Sequence, residues 1–252
     1  MENEITTSQS VPEVTSFFGR AANVFAAPGE LFEEVKAAPP QTSSWLLPYI
    51  AVLLVGLCSF LVLFSNQTLR EQMLESQRQD LQKQVETGKM TQEQMDRAEQ
   101  MMEGGTLTEV IGSAGVVVVV SLVFFLYPAL LLAILKFGLK SPGAYKKMLE
   151  VSGLSSLIGV LGSIVTVLMM FALGSIHATP GGSLLVMNSY DAHNVGHNLL
   201  ASLNIFTIWQ TAFVGLGLAK ISGKSSTVSM GMVFGLWLVW IVIASFLGWG
   251  GR

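Results

Sequence analysis

Charge is scarce in this 252-residue chain: Lys and Arg number 14, Asp and Glu 17, and together they make 12% of the sequence. Soluble domains carry about twice that fraction. A water-facing surface is therefore available over only part of the chain. The net charge of −3 leaves no basic footprint, which argues against nucleic acid as a partner. Cysteine is almost missing. Cys58 stands alone inside an apolar block, which excludes an intrachain disulfide and reads as packing. No apolar block has an ionisable residue in its middle, and such residues are the usual mark of an ion or proton pathway. No phosphate-cradling glycine loop is present, and no cofactor is implied. The first apolar run begins near residue 45 without a basic flank or small-residue cleavage site, so no signal peptide is expected.

What the chain has is apolar length. Half of its residues are apolar (51%), and they fall in runs able to cross a bilayer, which takes about twenty residues as a helix. The runs cover about 45–64, 110–135, 154–173, 199–218 and 231–249. The fold class is therefore all-α: a polytopic integral membrane helical bundle with five transmembrane helices. Pro48 sits near the start of the first run, where a missing N–H is tolerated. Pro128 is expected to kink the second.

Outside these runs, residues 1–15 are polar and are expected to be a disordered tail. Residues 16–44 form an amphipathic segment in which Phe17, Phe18, Ala21, Val24 and Phe25 recur at helical spacing. Pro28 restarts a second helix carrying Leu31, Phe32 and Val35. The segment fits a helix lying on the membrane surface, and a small cap on the membrane domain fits equally well. Residues 66–104 are charged and rich in Gln and Met, and form an extramembrane helical hairpin broken at Gly88. Its second helix begins with a capping box, Thr91 to Gln94.

The most informative stretch is Asn198 to Lys224, read as one helix around the fourth run. At 100° per residue Asn204, Thr207, Thr211 and Gly215 share one narrow stripe, with Gln210 beside it. Phe206, Trp209 and Phe213 fall opposite and are expected to face lipid. In the third run Ser155, Gly159 and Ser163 share a face, as do Ser152, Gly162 and Thr166. Small and polar residues let helix backbones approach closely in lipid, so these residues form the expected helix-packing polar face. Gly231-xxx-Gly235 is a further small pair that suits either dimerisation or burial within the chain, and burial is the expectation.

Orientation follows from Lys and Arg. Four lysines lie between runs two and three and none in the loop 174–197; Lys220 and Lys224 follow run four. This places the N-terminus in the cytoplasm and the C-terminus outside, in a multi-pass protein of the cell membrane.

The order of features resembles a known family. Arg20-Ala-Ala-Asn-Val-Phe-Ala-Ala-Pro28, Phe32 and the Pro39-Pro40 pair before the first run are similar to the N-terminal motif of Yip-family membrane proteins. Lys146-Lys147-Met148-Leu149 before Val151-Ser152 is similar to the family's approach to its third span. Asn204-Ile-Phe206-Thr-Ile-Trp209, with Gly215, Gly217 and Ile221-Ser-Gly-Lys224, resembles the fourth-span signature of bacterial members. The resemblance covers about residues 16–249. It implies five spans with a cytoplasmic N-terminus. The acidic-aromatic motif of eukaryotic members that bind Rab-type GTPases is missing, and that activity is not carried over.

Catalytic constellations are weak. Ser155, Ser156 and Ser163 have no base within the apolar runs, and the serines read as packing. His193 and His197 stand four apart, with Asp191 and His177 nearby, a spacing that suits zinc on a helix. Gly196 weakens that helix and no fourth strong ligand is evident, so polar loop residues explain them as well. The expected function is a non-catalytic membrane module that organises the bilayer or binds another protein through residues 16–38 or 66–104. The alternative is a small permease or the membrane subunit of a transporter, with Asn204, Thr207, Gln210 and Thr211 along a polar path.

Overall fold

The computed structural model describes residues 15–103 and 106–246, and its regular elements are helices. The expected disordered tail lies outside the described residues except for Thr15, as do residues 247–249 of the fifth run. Helix α1 (Phe17–Ala26) starts on Ser16, whose hydroxyl accepts from Gly19 N at 3.3 Å and so satisfies one of the free first-turn donors. Pro28 opens α2 (Pro28–Ala37) at its first position, where its fixed φ suits the helix and no N–H is missed.

The apolar runs become α3 (Ser43–Ser65), α6 (Thr106–Ala133), α7 (Tyr145–Leu173), α9 (Ile205–Ser222) and α10 (Ser226–Phe246). Each is long and apolar enough to cross a membrane. Between α3 and α6 stand α4 (Gln67–Glu86) and α5 (Gln92–Glu103). Gly88, at φ +69°, makes the turn, and Thr91 and Gln94 exchange hydrogen bonds of 2.9 and 3.3 Å as a capping box. Helix α6 continues into a widened π turn, Ile134–Gly138. Because α3 begins at Ser43, Pro48 is its sixth residue, beyond the free first-turn donors, and it removes an intrahelical bond.

Helix α7 is central. Helices α3, α6 and α9 pack on it, α10 packs on α9, and α1 and α2 close one end against α7 and α9. The α3–α7 approach is set by Gly153: a Cβ there would stand 2.6 Å from Trp45 Cα and 2.7 Å from Ser44 O. The apolar core lies at this capped end, where Leu131, Leu135, Met148, Leu154 and Leu218 meet Leu31, Phe32 and Val35. Helices α1 and α2 pack on the bundle as a cap, with their apolar stripe buried in it and Phe18 and Phe25 left exposed. At the far end α7 loosens: Leu161, Ile164, Leu168 and Phe171 are exposed to the surroundings.

Three expectations are corrected. The stretch 198–224 is not one helix. A short α8 (Val195–Ser202) ends at Leu203, and Asn204 then caps α9. The break is held by Gly182 N donating to Leu203 O at 2.9 Å and Ile205 N donating to Pro180 O at 3.1 Å. It also requires Gly181, where a Cβ would fall 2.0 Å from Leu203 O. Second, Phe213 does not face lipid; it is buried against Phe32, with ring centroids 4.6 Å apart. Phe206 is partly buried too, and only Trp209 of the three keeps an exposed face. A hydropathy wheel cannot see that the cap covers this side. Third, among the described residues nothing stands within 4 Å of where a Cβ of Gly231 or Gly235 would be.

Candidate functional site

The capped end holds a charge cluster assembled from four elements. Arg20, on the apolar stripe of α1, is buried with 1% of its side chain exposed, and Glu150, in the second turn of α7, is fully buried. Arg20 Nε donates to Glu34 Oε1 on α2 at 2.9 Å, and Nη1 donates to Ser44 Oγ at 2.7 Å and approaches Glu150 Oε1 at 3.5 Å. Glu150 also accepts from Gln41 N at 2.7 Å and from Lys147 Nζ at 2.8 Å. Lys147 donates as well to Val35 O and, at 2.7 Å, to Ala38 O, covering carbonyls at the negative end of α2. Two cations meet two carboxylates, so the cluster is neutral. Burial pushes the Glu34 carboxyl up, but hydrogen bonds from Thr15 and Arg20 outweigh it, and its pKa lies below the ordinary value. The arrangement is a latch: every charge faces a partner, and none is poised toward an open space.

Toward the opposite end, α3, α7 and α9 diverge around an open groove of about 390 Å³. It gathers seven of the residues expected to form the polar packing face: Gly159, Gly162, Ser163, Thr166, Asn204, Thr207 and Gln210. The other four lie elsewhere. Ser152 is buried and donates to Leu149 O at 3.3 Å. Ser155 is buried and donates to Ser152 O at 2.7 Å, while receiving a long 3.5 Å contact from Gln210 Nε2. Thr211 is buried and returns its hydroxyl to Thr207 O at 2.7 Å. Gly215 packs on α10, where its Cβ position is 2.9 Å from Met230 Cγ. The polar stripe therefore lines a space more than it joins helices.

A Yip1 domain matches residues 22–247. The chain belongs to the Yip1-domain family. It is also similar to Membrane protein YknW of Bacillus subtilis (strain 168), 26% identical over 256 residues that span 95% of this chain and 94% of that protein. No solved structure matches. This Yip1-domain chain is thus a multi-pass membrane protein of all-α fold, with five helices long and apolar enough to cross a bilayer.

The histidine motif of the Yip1-domain chain is not a helical pair. Helix α8 starts at Val195, so His193 precedes it and the two rings share no helix face. Asp191 Oδ1 instead accepts from His193 N at 2.8 Å, and Asp191 N donates to His197 Nδ1 at 3.1 Å. Among the described residues no three His, Cys, Asp or Glu converge as metal ligands. The loop is tied down by Asn198, which donates to Ala192 O and Ser245 O and accepts from Tyr190.

The latch was missed from sequence. Arg20 is three residues from Phe17 and four from Val24, on the side that must be buried. Glu150 interrupts an otherwise apolar and small-residue approach to the third run. A cation on one apolar stripe and an anion on another were the available signal.

Asn204 has a local role that predicts a modest effect. Its Oδ1 accepts from Phe206 N at 2.9 Å, and replacing such a cap by alanine costs about 1 kcal/mol. Asn204→Ala is expected to lower the detergent Tm by a few degrees while leaving solute flux through proteoliposomes at the wild-type level.

Proposed function

We propose that this Yip1-domain protein is a non-catalytic module that holds a partner membrane protein through the α4–α5 hairpin. The observation that carries this reading is an energetic imbalance. Among the described residues of 70–101 none is buried, and none joins the apolar core. Ordering each residue costs about 1–2 kcal/mol of backbone entropy, so a long ordered segment that buries so little of itself has its purpose outside the fold. The hairpin is nevertheless positioned. Gln72 donates to Gly174 O at 2.8 Å and accepts from Ile176 N at 3.1 Å, joining α4 to the turn after α7. It presents Met101 and a row of Gln and acidic side chains outward.

In this reading the N-terminus is cytoplasmic and the hairpin lies on the outer face. The positive-inside distribution supports it: Arg20, Lys36, Lys147 and Lys220 all belong to the capped end, where Lys220 pairs with Glu33 at 2.9 Å. A photo-crosslinking residue at Gln77, Gln84 or Gln94 in native membranes is expected to trap one discrete protein. Absence of any adduct at all three positions, with adducts of equal yield at lipid-facing Leu126, rules the hairpin out.

The permease reading has one favourable observation, the polar groove beside Gln210. Solute flux that falls in Asn204→Ala without a matching loss of Tm would select it over partner binding.

A further inference from the structure

The polar groove has a neighbour. A second groove, of about 380 Å³, lies between α3, α6 and α7 and shares Gly56, Gly159, Ser163 and Gln210 with the first. Its walls are different in kind: Val52, Val55, Val120, Val123 and Val160 dominate them. The two adjoin along this shared wall, where α3 and α7 present Gly56 and Gly159, so a polar chamber lies beside an apolar one. The polar chamber includes Asn204 at the start of α9, and Gln210 lies about 9 Å deeper along the helix.

The hydroxyls in the polar chamber behave unlike those deeper in the bundle, among them Ser152 and Ser156 on the wall of the second groove. Ser152, Ser155, Ser156 and Thr211 each donate to a carbonyl of their own helix, the usual way a helix satisfies such groups in an apolar medium. Ser163, Thr166 and Thr207 line the chamber and form no side-chain hydrogen bond among the described residues. Together with the Gln210 amide they offer both donors and acceptors. None of the chamber's lining residues is ionisable, so a charged head would shed water without meeting an opposite charge, at high cost. The chamber volume is at the low end of small-molecule sites, about 300–1,000 Å³. It suits a compact head, while an alkyl chain matches the valine walls.

We propose that these adjoining grooves together bind one membrane lipid of the diacylglycerol class, its uncharged hydroxyl and ester head in the α3–α7–α9 chamber and one acyl chain in the valine-lined groove. The lipid enters from the leaflet at the N-terminal end of α9, opposite the cap. This inference is separate from partner capture by the hairpin, and either can fail alone.

The test uses the full chain, delipidated and returned to nanodiscs holding equal amounts of dioleoylglycerol, phosphatidylethanolamine and phosphatidylglycerol. Native mass spectrometry after release is expected to find one dioleoylglycerol per chain, retained at least tenfold above either phospholipid. Thr207→Val combined with Gln210→Leu is expected to reduce that retention at least tenfold, and Leu122→Ala, on the exposed face of α6, to leave it unchanged. Equal retention by the double variant, equal or better retention of a phospholipid, or no retained lipid overturns the proposal. A second measurement needs no variant: a diacylglycerol with a photoactivatable acyl chain should label Val52, Val55 or Val160 in the wild-type protein. Labelling confined to outward Val118, Leu122 and Leu126 overturns it as well.

Discussion

Glu150→Ala is expected to lower the unfolding free energy by about 3–5 kcal/mol, the usual cost of removing one partner from a buried ion pair. Glu150 is fully buried and accepts from Gln41 N, Lys147 and, at longer range, Arg20. Its loss leaves the Gln41 N–H without that acceptor, Arg20 with only the partly exposed Glu34 as counter-charge, and Lys147 with carbonyls alone. Glu150→Gln keeps the shape and one acceptor oxygen, so it should fall between alanine and wild type. Thermal unfolding in detergent measures the loss. Trypsin cleavage after Lys36 reports whether the cap is released first. A wild-type Tm for Glu150→Ala, with Lys36 still protected, would mean that the cluster does not hold the cap.

The latch also explains how far the sequence could be read. Runs of twenty apolar residues need no partner to be recognised, because lipid alone demands them. The all-α class, the five helices and the Yip resemblance were therefore legible. The capping box at Thr91 and Gln94 was legible for the same reason: its partners are three residues apart. The latch joins residues 20, 34, 44 and 150 across as many as 130 positions, and no local pattern couples them. The break at Leu203–Asn204 was hidden similarly. Its cause is the strand-like contact with Pro180–Gly182, which lies outside the stretch being judged.

The wheel of α9 was correct in angle and incomplete in environment. It separates Asn204 and Thr207 from Phe213, and the structure keeps that separation, whereas Phe206, one turn from Gln210, lines the groove beside it. What it could not supply is the neighbour on each side: an open groove beside the amides, and α2 beside Phe213. Sequence-based inference of membrane folds fails in this way when a non-spanning segment, here α1 and α2, takes a face that would otherwise belong to lipid.

That substitution of cap for lipid makes Phe32 the most sensitive apolar position. It is fully buried and packs on Phe213, and its ring stands 2.8 Å from where a Cβ of Gly217 would be. Phe32→Ala is expected to cost about 3–5 kcal/mol, from lost transfer energy and the cavity left between α2 and α9. Phe18→Ala, at an 82% exposed position in α1, should stay within about 0.5 kcal/mol. Gly217→Ala alone is also expected to destabilise, because its methyl meets the Phe32 ring and Val151 Cγ1 at 3.0 Å. In the Phe32→Ala background that methyl enters the vacated space, and the same substitution should become neutral or stabilising. The reversal of sign is a coupling between neighbours, measurable as four melting curves in one detergent. Additive losses would place Phe32 away from Gly217, and the cap would then be docked on some other face of the bundle.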